Sequence, residues 1–304
     1  MIRPLSIPKL WITTAQQHGN FLSFVGAAVT VVLWASAFAG IRAGLKSYSP
    51  ESVALLRYLT ASIVMLGFAM VKRLPVPEWR DLPGIAAMGF LGFSVYNVAL
   101  NAGEVSVSAG VASFIVASAP IFMAMIAGLF FGDHLSLKGW GGILLCFLGV
   151  TIISFATDDG LNIDPRALLI LLAAIVQAMY SVLQRPYLKK YGALAFISYV
   201  IWAGTLFLLI FTPRLLIDMK TASTNATLAV IYMGIFPGAL AYASWSFVLS
   251  RINASVAGSF LYLVPFFAVL IAWLWLGEVP PPIALLGGLL IVCGLLVVNR
   301  LGKR

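Results

Sequence analysis

Residues 109–133 read AGVASFIVASAPIFMAMIAGLFFGD, and residues 254–278 read ASVAGSFLYLVPFFAVLIAWLWLGE. One lies over the other without a gap at an offset of 145. Ala109, Val111 and Ala112 meet Ala254, Val256 and Ala257. Pro120, Phe122, Ile126, Ala127, Leu129 and Gly132 meet Pro265, Phe267, Ile271, Ala272, Leu274 and Gly277, and Asp133 meets Glu278. Each stretch is apolar for about twenty residues, enough to cross the hydrocarbon of a bilayer. The register continues outward on both sides. Met88-Gly89 meets Met233-Gly234, and Gly142, Leu144, Leu145 and Gly149 meet Gly287, Leu289, Leu290 and Gly294. About fifteen of about sixty positions agree, a weak but ungapped internal symmetry. If each copy holds an odd number of spans, the copies face opposite ways, an architecture suited to carrying solutes.

Composition demands lipid around this chain. It is 62% apolar and 10% charged, with mean hydropathy +1.03. A soluble domain is nearer half apolar and a quarter charged. The net charge of +9 does not point to nucleic acid, because the basic residues are dispersed among apolar runs and form no stripe. Cys146 and Cys293 lie inside such runs and read as small core residues, neither bridged nor metal-bound.

Apolar runs of membrane-spanning length recur ten times, at 21–44, 51–72, 82–102, 106–131, 138–157, 165–185, 192–213, 226–249, 255–276 and 282–300. The breaks between them carry Pro50, Pro75 and Pro77, Asp158-Asp159-Gly160, Lys189-Lys190 and Pro280-Pro281-Pro282. Pro50 and Pro282 suit helix starts, where the missing N–H costs nothing. With the N-terminus inside, alternate loops hold thirteen Lys and Arg against five outside, so both termini are expected in the cytoplasm. A cleaved signal peptide ending near Ala35-Ser36-Ala37 is disfavoured, since its loss would leave nine spans and an unmatched second half. The expected organisation is an all-α membrane protein. Its parts are a cytoplasmic segment 1–20, a five-helix repeat 21–157, an extracytoplasmic linker 158–164, a second, inverted repeat 165–300 and a tail 301–304.

These features resemble the drug/metabolite transporter superfamily, EamA type. The resemblance rests on Trp34-Ala35-Ser36-Ala37-Phe38 in the first span and Pro50 with Leu56-Arg57-Tyr58 opening the second. It rests also on Pro120 to Gly132-Asp133 and Pro265 to Gly277-Glu278 closing the fourth and ninth, and on the glycine-rich fifth and tenth spans that follow. It covers about residues 21–300 and is specific for architecture rather than substrate. It implies an inner-membrane metabolite exporter, nearest the branch that exports amino acids, aromatic ones included.

Polar groups away from the membrane surface are costly and tend to mark pathways. The third span carries Ser94, Tyr96, Asn97 and Asn101. The two asparagines are four apart and share a face. Their amides suit a zwitterion or serve equally as interhelical glue. Gln177, Ser181 and Gln184 form one polar face of the sixth span, with Tyr180 beside them, and a lipid-facing helix would not keep such a stripe. Trp34 pairs with Gln177 at an offset of 143. Tyr242, Trp245 and Ser246 sit toward the middle of the eighth span, where rings can sandwich an aromatic side chain or a cation. Tyr199 and Trp202 read as packing. Arg57 reads as an arginine snorkelling to the outer surface or capping a helix end, with a counter-charge for a carboxylate as the other reading. Pro120 and Pro265 are expected mid-helix, as paired kinks that hinge. Gly142, Gly149, Gly287 and Gly294 lie seven apart in pairs and suit close helix packing, within or between protomers.

No phosphate-binding loop, metal cluster or mid-membrane acid is evident. Asp133, Glu104 and Glu278 fall near span ends, so no buried carboxylate relay is expected and no cofactor is called for. The leading reading is a secondary transporter or facilitator, a monomer or homodimer in the bilayer, exporting neutral or aromatic amino acids through a central cavity by alternating access. An exporter of amphipathic or cationic drugs is the alternative and would need an anion. An intramembrane enzyme lacks a base near its serines, and a non-transporting scaffold would not need the repeat.

Overall fold

A computed structural model describes residues 9–119, 121–123, 125–126, 136–154, 164–249, 251 and 260–301. No strand occurs among the described residues. The helices are α1 (Lys9–Gly44), α2 (Pro50–Lys72), α3 (Trp79–Gly103), α4 (Ala109–Val116), α5 (Leu137–Ser154), α6 (Pro165–Leu183), α7 (Ala193–Asp218), α8 (Thr224–Val248), α9 (Val264–Leu276) and α10 (Pro282–Leu301). A short helix, Arg185–Tyr191, joins α6 to α7. Six of these, α1, α2, α3, α6, α7 and α8, hold apolar stretches of 19 to 26 residues, long enough to cross a membrane. The other four are shorter apolar helices over their described residues. The linker at 158–163 and Asp133 lie outside the described residues.

The ends follow from local chemistry. Pro50, Pro165 and Pro282 open α2, α6 and α10, using a ring whose missing N–H would have been an orphan there. Asp164 and Ser223 cap α6 and α8 by accepting from the N–H groups of Arg166 and Ala226. Gly277 ends α9 in the left-handed region at φ 72°, a conformation a Cβ would strain.

Two long helices loosen at matching places. α3 contains a π turn at Phe90–Val95 and α8 one at Phe236–Leu240. Their starts are 146 residues apart and their ends 145. In α8 the cause is Pro237, which removes a donor from the ladder. In α3 the counterpart is Gly92, where a Cβ would stand 2.7 Å from the Tyr180 ring. Such π bulges recur at functional positions.

Pro265 departs from expectation. It sits in the first turn of α9, after a 3-10 turn at Leu261–Leu263, so it kinks no α-helical interior. A proline is cheapest at that point, because the first-turn N–H groups have no intrahelical acceptor. Pro120 lies outside the described residues, although α4 ends before it, with turn geometry at Ala117 and Ser118.

α5 and α10 pack closely on each other. A Cβ on Gly149 would lie 2.5 Å from the Gly287 carbonyl, and one on Gly294 would lie 2.5 Å from that of Gly142. The glycine contacts are therefore within one chain. Cys146 is buried there and donates to Ile291 O at 3.2 Å. Cys293, expected in the core, faces outward. The pair rests against the remaining helices through α4, whose Phe114 meets Gly288.

The two ends of the bundle gather different loops. At one end Arg42 of α1 reaches Glu278 after α9, and Ser49 N–H donates to Asp218 of α7 at 2.9 Å. Ser106 meets Asp164 at the same end. At the other, Lys190 binds Glu78 at 2.8 Å and Asp81 at 2.7 Å, while Tyr199 donates to Pro75 O. Both sets of contacts join residues before 158 to residues from 164 onward.

Candidate functional site

Between these ends, rings from five helices meet. Trp34 of α1 packs on Tyr242 and Trp245 of α8, with centroids 5.2 and 5.5 Å apart. Phe93 of α3 touches Tyr58 of α2 at 5.3 Å, Tyr180 of α6 at 5.7 Å and Tyr242 at 6.0 Å. Phe93, Tyr58 and Tyr180 are buried, while Trp34, Tyr242 and Trp245 are partly open. The π turn places Phe93 at this junction, since a turn with one extra residue swings its side chains out of the usual helical register.

One helical turn onward lies a polar seam. Asn97 is fully buried. Its amide donates to Tyr58 Oη at 3.1 Å and Phe93 O at 2.8 Å, and its Oδ1 accepts from Arg57 Nη1 at 3.2 Å. Asn101 donates to Pro50 O at 2.9 Å. Both asparagines thus tie α3 to α2. Arg57 does not snorkel. It is 6% exposed, held by Asn97 and lying 5.4 Å from the Tyr58 ring centroid. The surface reading fails because Asn97, four residues past Phe93, supplies a buried acceptor in reach.

Tyr96 is half-buried, within electrostatic reach of Arg57, Tyr58 and Glu104. On α6, Gln177, Ser181 and Gln184 are half-buried and opposite the exposed Leu168, Leu172, Met179 and Leu183. Ser181 and Ser246 turn their hydroxyls onto their own helices, at Gln177 O and Tyr242 O. Trp202 donates to Ser62 O at 3.2 Å, and Thr205 bonds Ser62 Oγ at 2.8 Å and Tyr58 O at 3.2 Å, closing α7 onto α2.

Above the seam stands a clasp. Arg42 Nε donates to Glu278 Oε1 at 2.8 Å, and its Nη1 donates to the carbonyls of Glu104 at 2.7 Å and Val105 at 3.0 Å. Glu278 Oε2 accepts from Ala109 N–H, the first of α4, at 3.0 Å. A shallow cleft of about 200 Å³ opens here, lined by Arg42, Leu45, Lys46, Val105, Leu276 and Glu278. Among the described residues no group of three or more His, Cys, Asp or Glu has metal-binding geometry.

The profile of the EamA-like transporter family matches the chain twice, over residues 21–155 and 165–300. The chain belongs to the EamA-like transporter family. An uncharacterized transporter of Bacillus subtilis, YdfC, is 43% identical over 283 residues, covering 92% of each chain. A probable terminal-alkyne amino-acid exporter of Streptantibioticus cattleyicolor is 39% identical over 278 residues, covering 91% of this chain and 93% of its own. A solved crystal structure superposes with a TM-score of 0.63 over 91% of this chain and 96% of that one, at 17% identity, and this likeness concerns the fold alone. This EamA-like transporter is thus a multi-pass membrane protein of a transporter family, not an enzyme family.

Sequence reasoning missed Phe93 and underrated Glu104 in this transporter. Phe93 precedes Asn97 by four residues, so the face carrying Asn97 and Asn101 pointed to it. Glu104 falls at the end of the third span and reads as a surface acid, yet it is fully buried. Its spacing of three from Asn101 was the available signal.

Proposed function

We propose that this EamA-like chain is a secondary transporter exporting neutral amino acids, aromatic ones among them, from the cytoplasm. In this reading ten spans form two inverted repeats, 21–157 and 165–300, with both termini cytoplasmic in an inner membrane. The substrate binds between the repeats, and the halves rock so that the site opens to one side at a time. The observation that carries the reading is the ring cluster of Trp34, Phe93, Tyr180, Tyr242 and Trp245, which draws on both halves at mid-chain depth. Matched π turns in α3 and α8, and end contacts that alternate along the chain, agree with the inversion. The excess of Lys and Arg on one set of loops agrees with the orientation. The amino-acid relative lends its substrate class.

Trp34, Tyr180, Tyr242 and Trp245 would cradle an apolar or aromatic side chain. Tyr96, Gln177, Ser181, Gln184 and Ser246 would flank it with neutral polar groups, and Asn97 and Asn101 would hold the charged seam behind it. The 3-10 turn before Pro265, with its counterpart near Pro120, would yield as the halves rock. Purified protein in proteoliposomes should carry labelled phenylalanine, methionine or threonine in a saturable manner, each competing with the others. Absence of flux for all three would remove the amino-acid claim. Drug resistance on overexpression, untouched by amino-acid competitors, would favour the amphipathic-drug alternative.

A further inference from the structure

Four polar groups near the seam have no hydrogen-bond partner among the described residues. Glu104 is fully buried, and neither of its carboxylate oxygens meets a donor. Asn101 Oδ1, Ser108 Oγ and Arg57 Nε are buried and equally unpaired. Buried polar atoms are otherwise almost always hydrogen-bonded. Asn97, Asn101 and Glu104 repeat at four and three along one face of α3, and Ser108 follows in the turn before α4. Three residues here offer acceptors and one offers a cationic donor. An alkylammonium carries three N–H donors and no acceptor, and a guanidinium binds carboxylates. An α-amino acid presents both groups.

The charges around Glu104 are few. Arg42 faces it from α1, Arg57 from α2, Glu278 from beyond α9 and Tyr96 from its own helix. Asp164 and Arg166 start the neighbouring α6, where Asp164 accepts from Ser106 and from Arg166 N–H. Arg42 is engaged by Glu278 and by the Glu104 carbonyl. Burial holds the Glu104 carboxyl well above the usual carboxylate range, with the Arg42 charge pulling back more than that of Arg57. The cleft beside Arg42, Lys46 and Glu278 lies next to Glu104 in the fold and brings solvent close to it.

We infer that Arg57 and Glu104 grip the head group of an amino acid, carboxylate to guanidinium and ammonium to carboxylate, and that a proton competes with the ammonium for Glu104. The inference rests on the amino-acid reading above. Its steps balance. Neutral Glu104 gives its proton to solvent as the ammonium arrives, and regains one as the amino acid leaves on the other side. Export of one zwitterion then accompanies entry of one proton.

The test uses the unmodified protein in weakly buffered detergent solution with a pH-indicator dye, near neutral pH. Phenylalanine and phenethylamine, which carry an ammonium, should each release about one proton per molecule bound. N-acetylphenylalanine should release none. In proteoliposomes the KM for phenylalanine should fall about tenfold for each pH unit while Glu104 is mostly protonated. Glu104→Gln should raise the KM and flatten that slope, and Glu104→Asp should restore the slope. Arg57→Gln should weaken phenylalanine and spare phenethylamine. Phenylalanine flux without proton release by the unmodified protein overturns the head-group clamp and leaves the amino-acid reading standing. No flux removes both, and an unchanged pH slope in a folded Glu104→Gln protein overturns the proton's role.

Discussion

The Phe93 side chain has no polar atom, yet it joins Tyr58, Tyr180 and Tyr242. Each ring contact adds about 0.5–1.5 kcal/mol beyond area, and truncating a buried Phe to Ala costs about 3–5 kcal/mol in total. Phe93→Ala should therefore lower the unfolding temperature in detergent much more than Phe93→Leu, as thermal unfolding curves will read. Trp34 is different, because it is partly open and its ring partners among the described residues are Tyr242 and Trp245 of α8. Trp34→Ala should raise the KM for phenylalanine by about fivefold and that for threonine by less, since about 1 kcal/mol of ring contact is at stake. Equal effects on both substrates in uptake assays would place Trp34 in packing alone. Asp81, in the 3-10 turn that opens α3 at the far end, depends on charge. Hydrogen bonds from Lys190 and then Tyr191 hold its carboxyl below the usual value of 3.8, while the bonds to Asp81 and then Glu78 raise Lys190. A carboxyl depressed in the fold stabilises above its ordinary pKa and loses that contribution as pH falls through the depressed one. Acidification from about pH 7 to about pH 4 should leave the Asp81–Lys190 link intact. Below that, a loss in thermal stability should be smaller in Asp81→Asn than in the parent.

Helices are set by what lets them approach. Gly149 faces the Gly287 carbonyl and Gly294 that of Gly142, so no side chain fits at these two positions between α5 and α10. Overpacking a filled interface costs about 1–3 kcal/mol. Gly149→Ala and Gly294→Ala should each lower thermal stability in detergent, whereas Gly141→Ala, with open space around it, should not. Much of this level was legible beforehand. Pro50 and Pro282 open helices as their chemistry requires, and the glycine spacing of seven marked one face of each peripheral helix. The polar face of α6 was legible because exposed leucines occupy the opposite arc. What the residues did not disclose was depth and local winding. Glu104 and Arg57 look like interfacial charges in a linear reading, and only the packing of neighbouring helices around the end of α3 buries them. The π turn in α3 has no proline to announce it, and at the matching position stands Gly92, against which the Tyr180 ring packs. Pro265 was misplaced for the converse reason. Composition alone does not reveal that the preceding turn is already 3-10, which moves the proline from an interior to a start.

At the scale of the whole molecule, both ends are tied across the two halves by charge. Arg42–Glu278 closes one end, with side chains 27% and 20% exposed, and Lys190 with Glu78 and Asp81 closes the other. A transporter that opens to alternate sides must break one tie while the other holds, so the two compete for the same equilibrium. The first tie is the stronger candidate. It is partly buried, Arg42 also binds two carbonyls of the α3–α4 turn, and Glu278 caps α4 through Ala109 N–H. Lys190 is more exposed, and an exposed pair contributes about 0–1 kcal/mol and is screened by salt. Arg42→Met should therefore shift the population toward the form open at its own end, by about fivefold or more for each 1 kcal/mol lost. Lys190→Met should shift it the other way and by less. A single cysteine introduced at Val107, buried beside the clasp, reports the difference through its rate of labelling by an impermeant maleimide in a background lacking Cys146 and Cys293. Labelling should quicken with Arg42→Met, slow or stay unchanged with Lys190→Met, and return toward the parent rate when both are present. Equal labelling in all four proteins would mean that the ties only stiffen the fold and play no part in choosing which side opens.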